Sequence, residues 1–168
     1  MSGTDFPSAL TQIGHGTTFR DTLCSMLEDT QMFRDLSRRE IEILANYVGA
    51  YRCGGGITLF QEGERGTFMC IIVEGKLEVF KTTDQGDRRQ LATVRAGKTL
   101  GEMALIDEQP HSATVITTGE TLLLALSKTS LQRIGEEHPG LAVQLLWRIA
   151  QQLSHRLRQT SGQLVDYL

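Results

Sequence analysis

The sequence predicts a mainly β domain with flanking α-helices, and three observations predict it. Short β-prone stretches recur between Tyr51 and Leu126 at intervals of about 8–12 residues, separated by glycine-containing turns. Apolar residues at helical spacing precede and follow this region. One short helical segment, which opens at Gly101 and ends before Pro110, interrupts the strands. This order indicates a sandwich or barrel, here a β-roll, with helices at both ends.

Composition limits the function classes. The chain of 168 residues has a formal net charge of −3 and a pI near 5.8, which argues against a nucleic-acid-binding surface. It has no apolar run of membrane-spanning length and no signal-peptide pattern. Three scattered cysteines, Cys24, Cys53 and Cys70, are typical of free thiols in a reducing cytoplasm. We therefore expect a cytoplasmic protein without membrane contact, with a flexible tail over residues 1–18 and one domain over residues 19–168.

Two helices are expected before the strands. Apolar spacing predicts the first over Phe19–Leu27. The second opens at a capping box formed by Ser37 and Glu40, and Gly49 is expected to end it in the left-handed conformation. The predicted strands are Ile57–Phe60, Phe68–Val73, Lys76–Lys81, Gln90–Val94, Ser112–Thr117 and Thr121–Leu126.

The stretch from Gly101 to Ala113 carries the candidate chemistry. A helix that begins at Gly101 offers unpaired N–H groups to an anion, and the carboxylate of Glu102 can accept a hydrogen bond from a ligand hydroxyl. His111 adds a possible cation and Ser112 a hydroxyl. Together these groups suit a sugar phosphate. The alternative is a capped surface turn that binds nothing.

A long helix of about residues 139–165 is expected to close the chain. Its apolar positions follow alternating steps of three and four, which is typical of a heptad seam. The seam positions are Val143, Leu146, Ala150, Leu153, Leu157, Thr160, Leu164 and Tyr167. This pattern favours a parallel homodimer, and the alternative is packing on the helix's own domain. Gly162 predicts fraying at the far end, since glycine destabilises a helix interior by about 1 kcal/mol relative to alanine.

Taken together, these motifs resemble the cyclic-nucleotide-binding domain family. The similarity lies in Gly-Glu-x-Ala-Leu from Gly101, in Pro-x-Ser-Ala from Pro110, and in the order of the helices and the glycine-punctuated strands over Gln31–Gln163. It implies a double-stranded β-helix, which is a jelly-roll-like β-roll, with N-terminal helices and a long C-terminal helix. The implied regulatory ligand is cAMP or cGMP, with no further cofactor.

The end of the chain is most similar to the sensor domain of bacterial cAMP receptor and activator proteins. Arg156-Leu157-Arg158-Gln159-Thr160-Ser161 matches a stretch of their dimer helix, so the resemblance implies that Thr160 and Ser161 contact the base. It favours cAMP over cGMP for the same reason. Those activators continue into a helix-turn-helix domain, whereas this chain ends at Leu168, and we expect no direct DNA binding.

The resemblance also implies roles for the central stretch. Backbone N–H groups from Gly101 through Met103 to Ala104 would face the cyclic phosphate, and the Glu102 carboxylate would accept a hydrogen bond from the ribose 2′-hydroxyl. Ser112 and Ala113 would line the phosphate. His111 stands where the family has arginine, and imidazole lacks the permanently charged fork of a guanidinium. This exchange predicts weaker or pH-sensitive nucleotide binding.

The sequence leaves three possible functions open. The first is a cyclic-nucleotide sensor whose terminal helices move on binding. The second is an interaction or dimerisation module that has kept the roll and lost the ligand because of His111. The third, an enzyme, is disfavoured: the roll resembles cupins, but the chain has no His-x-His metal motif, no Gly-x-Ser-x-Gly and no Walker loop. We therefore expect neither catalytic residues nor a metal site.

Overall fold

The computed structural model describes residues 6–14 and 16–165 of the chain. The helices of this part are α1 (Gly16–Glu28), α2 (Arg38–Leu44), α3 (Glu102–Asp107), α4 (Lys128–Glu137) and α5 (Pro139–Val165). The strands are β1 (Thr11–Gln12), β2 (Val48–Cys53), β3 (Thr58–Phe60), β4 (Phe68–Glu74), β5 (Lys76–Thr82), β6 (Arg88–Arg95), β7 (Thr99–Leu100), β8 (Thr114–Thr117) and β9 (Thr121–Ser127).

The strands form two antiparallel sheets. The first has the order β1-β2-β9-β4-β7, and the second has the order β3-β8-β5-β6. Buried side chains from both sheets fill the space between them, among them Phe60 of β3, Cys70 of β4, Leu77 of β5 and Leu123 of β9. The predicted fold, a mainly β roll with flanking helices, is confirmed.

Strand β9 is buried on both faces and separates two apolar clusters. Leu123 and Ala125 point into the roll, whereas Leu124 and Leu126 join the cluster formed with the helices. Side chains alternate between the two faces of a strand, so this near-continuous apolar run serves both clusters. The helical layer therefore lies against the outer face of the first sheet.

Helix α5 packs on its own domain through one face. Leu141, Ala142, Leu145 and Ile149 are buried in the cluster that also contains residues of α1, α2 and β9. The neighbouring face carries the predicted seam, and there Val143, Leu146, Ala150 and Leu157 are exposed. Of the other seam positions, Leu153 is partly buried and Thr160 is exposed, while the side chain of Leu164 and all of Tyr167 lie outside the description. The helix thus has separate apolar faces for its domain and for solvent.

The capping box of α2 forms as predicted, but the predicted end of this helix is wrong. The Ser37 side chain accepts a hydrogen bond from the N–H of Glu40 at 3.3 Å, and the Glu40 carboxylate accepts one from the N–H of Ser37 at 2.7 Å. Helix α2 ends at Leu44, however, and Gly49 lies inside β2 opposite Ala125 of β9. Pairing with a buried strand overrides the local helix-stop signal.

Residues described from the predicted tail contact the domain. Thr11 and Gln12 pair with β2, and the ring of Phe6 lies 4.7 Å from that of Tyr51 and 5.0 Å from that of Phe68. Residues 1–5 and 15 lie outside the described part, and the predicted tail and domain boundaries stay predictions. None of the described helices is both long enough and apolar enough to cross a bilayer.

Candidate functional site

A cavity of about 270 Å³ lies at one end of the roll, between α3, the segment after it, and α5. Its walls include seven of the residues singled out in the sequence: Gly101, Glu102, Met103, Ala104, His111, Ser112 and Ala113. Phe60, Val79, Leu100 and Val115 supply apolar surface, and Arg156 reaches the cavity from α5. The fold therefore brings both ends of the Gly101–Ala113 stretch to one concave site.

Gly101 is required by the geometry at the entrance to α3. Its φ of 82° lies in the left-handed region, and a Cβ at this position would come within 2.7 Å of both the Phe60 ring and the Phe68 carbonyl oxygen. A residue without a Cβ avoids both the strain and the contact. The close approach to Phe60 and Phe68 fixes where α3 starts, and hence where Glu102 lies.

Glu102 is the most buried charged side chain of the cavity wall, with 1% of its surface exposed. One carboxylate oxygen, Oε1, accepts a hydrogen bond from Nη1 of Arg156. The other oxygen, Oε2, is buried and has no hydrogen-bond partner among the described residues. An unsatisfied buried acceptor is costly, so Oε2 marks a position where a donor from a ligand would be stabilised.

Arg156 is held by three acceptors. Besides Glu102, it donates through Nη2 to the carbonyl oxygen of Thr99 at 2.5 Å and to the hydroxyl oxygen of Thr99 at 3.1 Å. That hydroxyl in turn donates to Oε1 of Gln152 at 2.8 Å. In the sequence, Arg156 is only the first residue of the Arg-Leu-x-x-Thr-Ser stretch, and a linear motif gives no signal for its partner in α3.

The His111 ring packs against the ring of Phe60 as part of the cavity wall. The two ring centroids are 4.4 Å apart, and the His111 main chain exchanges hydrogen bonds with the loop before β4, donating to Glu64 and accepting from Gly63. Burial lowers the pKa of His111 from its ordinary 6.5, and the nearby charge of Glu64 opposes this shift only in part. At neutral pH the imidazole is therefore mainly uncharged, unlike the possible cation expected from the sequence.

Ser112 is anchored by a lysine of the second sheet. The Lys81 ammonium donates to the carbonyl oxygen of Ser112 at 2.6 Å and lies 2.5 Å from the carboxylate of Glu62. Glu62 also accepts from the N–H of Thr82 at 2.9 Å, and these bonds lower its pKa to about 2. The Glu62–Lys81 pair thus fixes the main chain at Ser112, which lines the cavity.

A larger cavity, of about 720 Å³, adjoins the first between α5 and the strands β6 and β7. The two cavities share Val79, Leu100 and Arg156. The α5 side of the larger cavity is polar and carries Arg148, Gln151, Gln152, His155, Arg156 and Gln159. Thr160 and Ser161 line neither cavity and are exposed on α5. The structure therefore does not bring these two residues to the site formed by Gly101–Ala113.

Within residues 6–14 and 16–165, no cluster of three or more His, Cys, Asp or Glu side chains is arranged to hold a metal ion. Cys24, Cys53 and Cys70 are buried free thiols, and burial raises the pKa of each.

Comparison with known proteins assigns a family to this geometry. The family model of the cyclic nucleotide-binding domain matches residues 53–138. The chain is 28% identical to the Cyclic AMP receptor protein of Thermus thermophilus, over 82% of this chain and 62% of that protein. It is 27% identical to a cAMP-dependent protein kinase regulatory subunit of Blastocladiella emersonii, over 64% of this chain and 27% of the subunit. The chain therefore spans less than two thirds of either relative.

Solved structures agree with this assignment. A cyclic nucleotide-binding domain from Methylobacillus flagellatus superposes with a TM-score of 0.82 at 26% identity, covering 95% of this chain and 90% of that one. The Catabolite Activator Protein of Thermus thermophilus superposes with a TM-score of 0.69 at 28% identity, covering 79% of this chain and 61% of that one.

Proposed function

Because the chain belongs to the cyclic nucleotide-binding domain family, we propose that it is a cAMP-type regulatory sensor whose ligand acts on α5. The cyclic nucleotide enters the 270 Å³ cavity. Its binding changes the contacts of the terminal helix, and that change is the signal. The module has no catalytic step of its own, in keeping with relatives whose names describe a receptor protein and a regulatory subunit.

The observation that carries this proposal is the buried carboxylate of Glu102. Its Oε2 lacks a hydrogen-bond partner among the described residues, so it can accept a hydrogen bond from the ribose 2′-hydroxyl without breaking an existing one. Its Oε1 is bonded to Arg156 of α5. A ligand hydroxyl on Glu102 therefore changes the electrostatic surroundings of the residue that ties α5 to the roll.

The positions proposed for the phosphate and the base of the nucleotide are based on the residues that line the two cavities. The phosphate lies near the main-chain N–H groups from Gly101 to Ala104 and beside Ser112 and Ala113, since these line the small cavity. The base extends into the larger cavity along α5. Thr160 and Ser161 stay candidate base contacts, and a shift of α5 or a second copy of the chain would have to bring them to the ligand.

We further propose that the exposed apolar face of α5 binds a second copy of the chain. Val143 is 65% exposed, Trp147 67% and Leu157 68%, although the neighbouring face of the helix, with Leu145 and Ile149, is buried. The heptad steps through Leu146, Ala150 and Leu153 make this face self-complementary for a parallel pair of helices. A homodimer would place two nucleotide cavities beside one helical interface.

A second candidate function is a roll that dimerises without a ligand. The observation that favours it is His111, which replaces the family's arginine and is mainly neutral through burial against Phe60. Under this alternative the cavity is a remnant, and the regulatory contact is made by α5 alone. The cytoplasmic location expected from the sequence is compatible with both candidates, since the three buried cysteines are free.

Titration of the purified protein separates the two candidates. We expect calorimetry at pH 7.5 to give saturable binding of cAMP at one site per chain, weaker binding of cGMP, and a melting temperature that rises with cAMP. Comparable affinity for the two nucleotides would contradict the predicted preference for cAMP but would still support a nucleotide sensor. No heat and no change in melting temperature with either nucleotide would favour the ligand-free module.

A further inference from the structure

The main chain at Ser112 lies just outside the ladder between β5 and β8. This antiparallel ladder ends where Phe80 of β5 lies opposite Thr114, the first residue of β8. Strand β5 continues to Thr82, so a ladder extended by two more residues would pair Thr82 with Ser112. These two residues are not paired in the structure. Residues 111–113, which line the small cavity, therefore depend on other contacts for their position.

Two side chains connect the two main chains instead. The N–H of Thr82 donates to Oε2 of Glu62 at 2.9 Å, and the carbonyl oxygen of Ser112 accepts from Nζ of Lys81 at 2.6 Å. Oε1 of Glu62 and Nζ of Lys81 are 2.5 Å apart, which joins these bonds into one chain. The N–H of Glu62 also donates to the Thr114 hydroxyl oxygen at 3.1 Å. The ion pair thus takes the place of ladder bonds between Thr82 and Ser112.

The Glu62–Lys81 pair is suited to positioning more than to overall stability. Its bonds lower the pKa of Glu62 to about 2, so the carboxylate is anionic at neutral pH. The Lys81 side chain is 46% exposed and the Glu62 side chain 20%, and exposed ion pairs contribute little to the free energy of unfolding. The bonds to the main chain are charge-assisted and directional. Loss of the pair is therefore expected to move the main chain at Ser112 without unfolding the domain.

Holding Ser112 by its carbonyl oxygen leaves the neighbouring N–H groups to other partners. Among the described residues, the N–H groups of Ser112 and Ala113 donate no hydrogen bond, although both residues line the small cavity. An extended ladder would turn main-chain polar groups of this segment towards β5. Main-chain N–H groups form strong hydrogen bonds to anionic oxygens. Their contribution is the more important here because His111 is mainly uncharged.

From these contacts, and resting on the proposed function, we propose that Glu62 and Lys81 are positioning residues for the nucleotide phosphate. Lys81 holds the Ser112 carbonyl oxygen, and the N–H groups of Ser112 and Ala113 then donate to the phosphate oxygens. Neither Glu62 nor Lys81 lines the small cavity, so the pair acts through the main chain and does not touch the ligand. The second sheet thereby contributes to phosphate binding from outside the cavity.

Substitution of Lys81 tests this role when cAMP is compared with adenosine, which has the ribose and base but no phosphate. We expect Lys81→Met to weaken cAMP binding about 3- to 10-fold, the range for loss of one hydrogen bond, and adenosine binding by less than about twofold. Lys81→Arg keeps a donor for Ser112 and a charge for Glu62, and it should bind cAMP within about twofold of the wild type. Lys76→Met, at the other end of β5 and outside both cavities, is the matched control and should change neither affinity.

The amide resonances of Ser112 and Ala113 report the position of this segment directly. In ¹⁵N spectra of the ligand-free protein, we expect both resonances to shift in Lys81→Met and to stay in place in Lys76→Met. Saturation of the wild type with cAMP should shift both resonances, and this second shift should be smaller in Lys81→Met. Unshifted resonances in ligand-free Lys81→Met would overturn the positioning role.

Glu62→Gln separates positioning from direct attraction of the phosphate by Lys81. The amide keeps an acceptor for Thr82 but removes the charge that neutralises Lys81. We expect cAMP affinity to stay the same or to fall by up to about threefold. Tighter binding of cAMP in Glu62→Gln would overturn the proposal, because Lys81 would then act on the phosphate through its charge.

The remaining outcomes are also decisive. Equal losses of cAMP and adenosine in Lys81→Met would overturn the inference, because the pair would then support the whole cavity and not the phosphate position. A wild-type protein that binds neither compound contradicts the proposed function, and the phosphate role of the pair fails with it. Wild-type binding of cAMP with unaltered affinity in Lys81→Met contradicts this inference alone.

Discussion

Arg156 of the last helix donates a hydrogen bond to the carboxylate of Glu102, which lies 54 residues earlier at the start of α3. The carboxylate is almost completely buried, and the guanidinium also holds the main chain at Thr99. This ion pair is a direct connection between the small cavity and α5. Any ligand that competes for Glu102 must alter the surroundings of Arg156.

The first prediction concerns Glu102. Glu102→Gln keeps the size of the side chain but removes the charge that accepts the ribose hydroxyl, so we expect cAMP affinity to fall about 10- to 100-fold. Calorimetric titration measures this change. Glu108→Gln is the control, because Glu108 caps the other end of α3, is exposed and pairs with Lys128. Unchanged affinity in Glu102→Gln would exclude this carboxylate from ligand binding.

The second prediction concerns pH. Burial holds the pKa of His111 below 6.5, so the protonated fraction is already small at pH 7 and falls further by pH 8. If the phosphate depended on protonated His111, cAMP affinity would drop about tenfold over this interval, following that fraction. We expect instead no more than a twofold change between pH 7 and pH 8, because in the proposed site the phosphate lies near main-chain N–H groups from Gly101 to Ala104, which do not titrate. Titrations at the two pH values decide between these results.

The third prediction concerns the glycine at the entrance to α3. Gly101→Ala introduces both left-handed strain and a Cβ too close to Phe60 and Phe68, whereas Gly97→Ala, at a φ of 85°, has nothing within 4 Å of the added Cβ. Left-handed backbone at a non-glycine residue costs on the order of 1 kcal/mol. We expect Gly101→Ala to lower the free energy of unfolding by more than Gly97→Ala, in urea titrations of both. Equal losses would mean that the close approach has no energetic effect.

The fourth prediction concerns the exposed face of α5. Leu157→Glu places a charge in the proposed helical interface, and we expect it to convert a dimer into a monomer in sedimentation experiments. Ile106→Glu is the control, because Ile106 is an exposed apolar residue that belongs to α3 and not to α5. A wild-type protein that sediments as a monomer at concentrations of tens of micromolar would contradict the proposed interface.

Much of the fold could be predicted because its signals are local. The capping box at Ser37, the glycine-separated strands and the Gly-Glu-x-Ala-Leu motif each depend on neighbouring residues, and the family resemblance that they support is confirmed. The end of α2 was predicted wrongly because a glycine such as Gly49 is compatible both with a helix end and with a strand. The pairing of Gly49 with β9, which makes it part of a strand, is not visible in the local sequence.

The site was less predictable because its chemistry depends on tertiary contacts. The charge of His111 is set by its burial against Phe60, which comes from another strand. The partner of Arg156 depends on the rotation of α5 against the roll, as does the exposure of Thr160 and Ser161. A sequence motif identifies the residues that are present, but it does not show which face of a long helix packs against the domain.

The fluorescence of Trp147 during a cAMP titration tests the central claim most directly. Trp147 is the single tryptophan of the chain and lies exposed on α5, outside both proposed ligand cavities. If nucleotide binding at Glu102 acts on α5, its emission should change saturably with the same midpoint as the calorimetric titration, and Glu102→Gln should shift that midpoint to higher cAMP concentration. Calorimetric binding without any change in Trp147 emission would contradict the claim that the cavity signals through this helix.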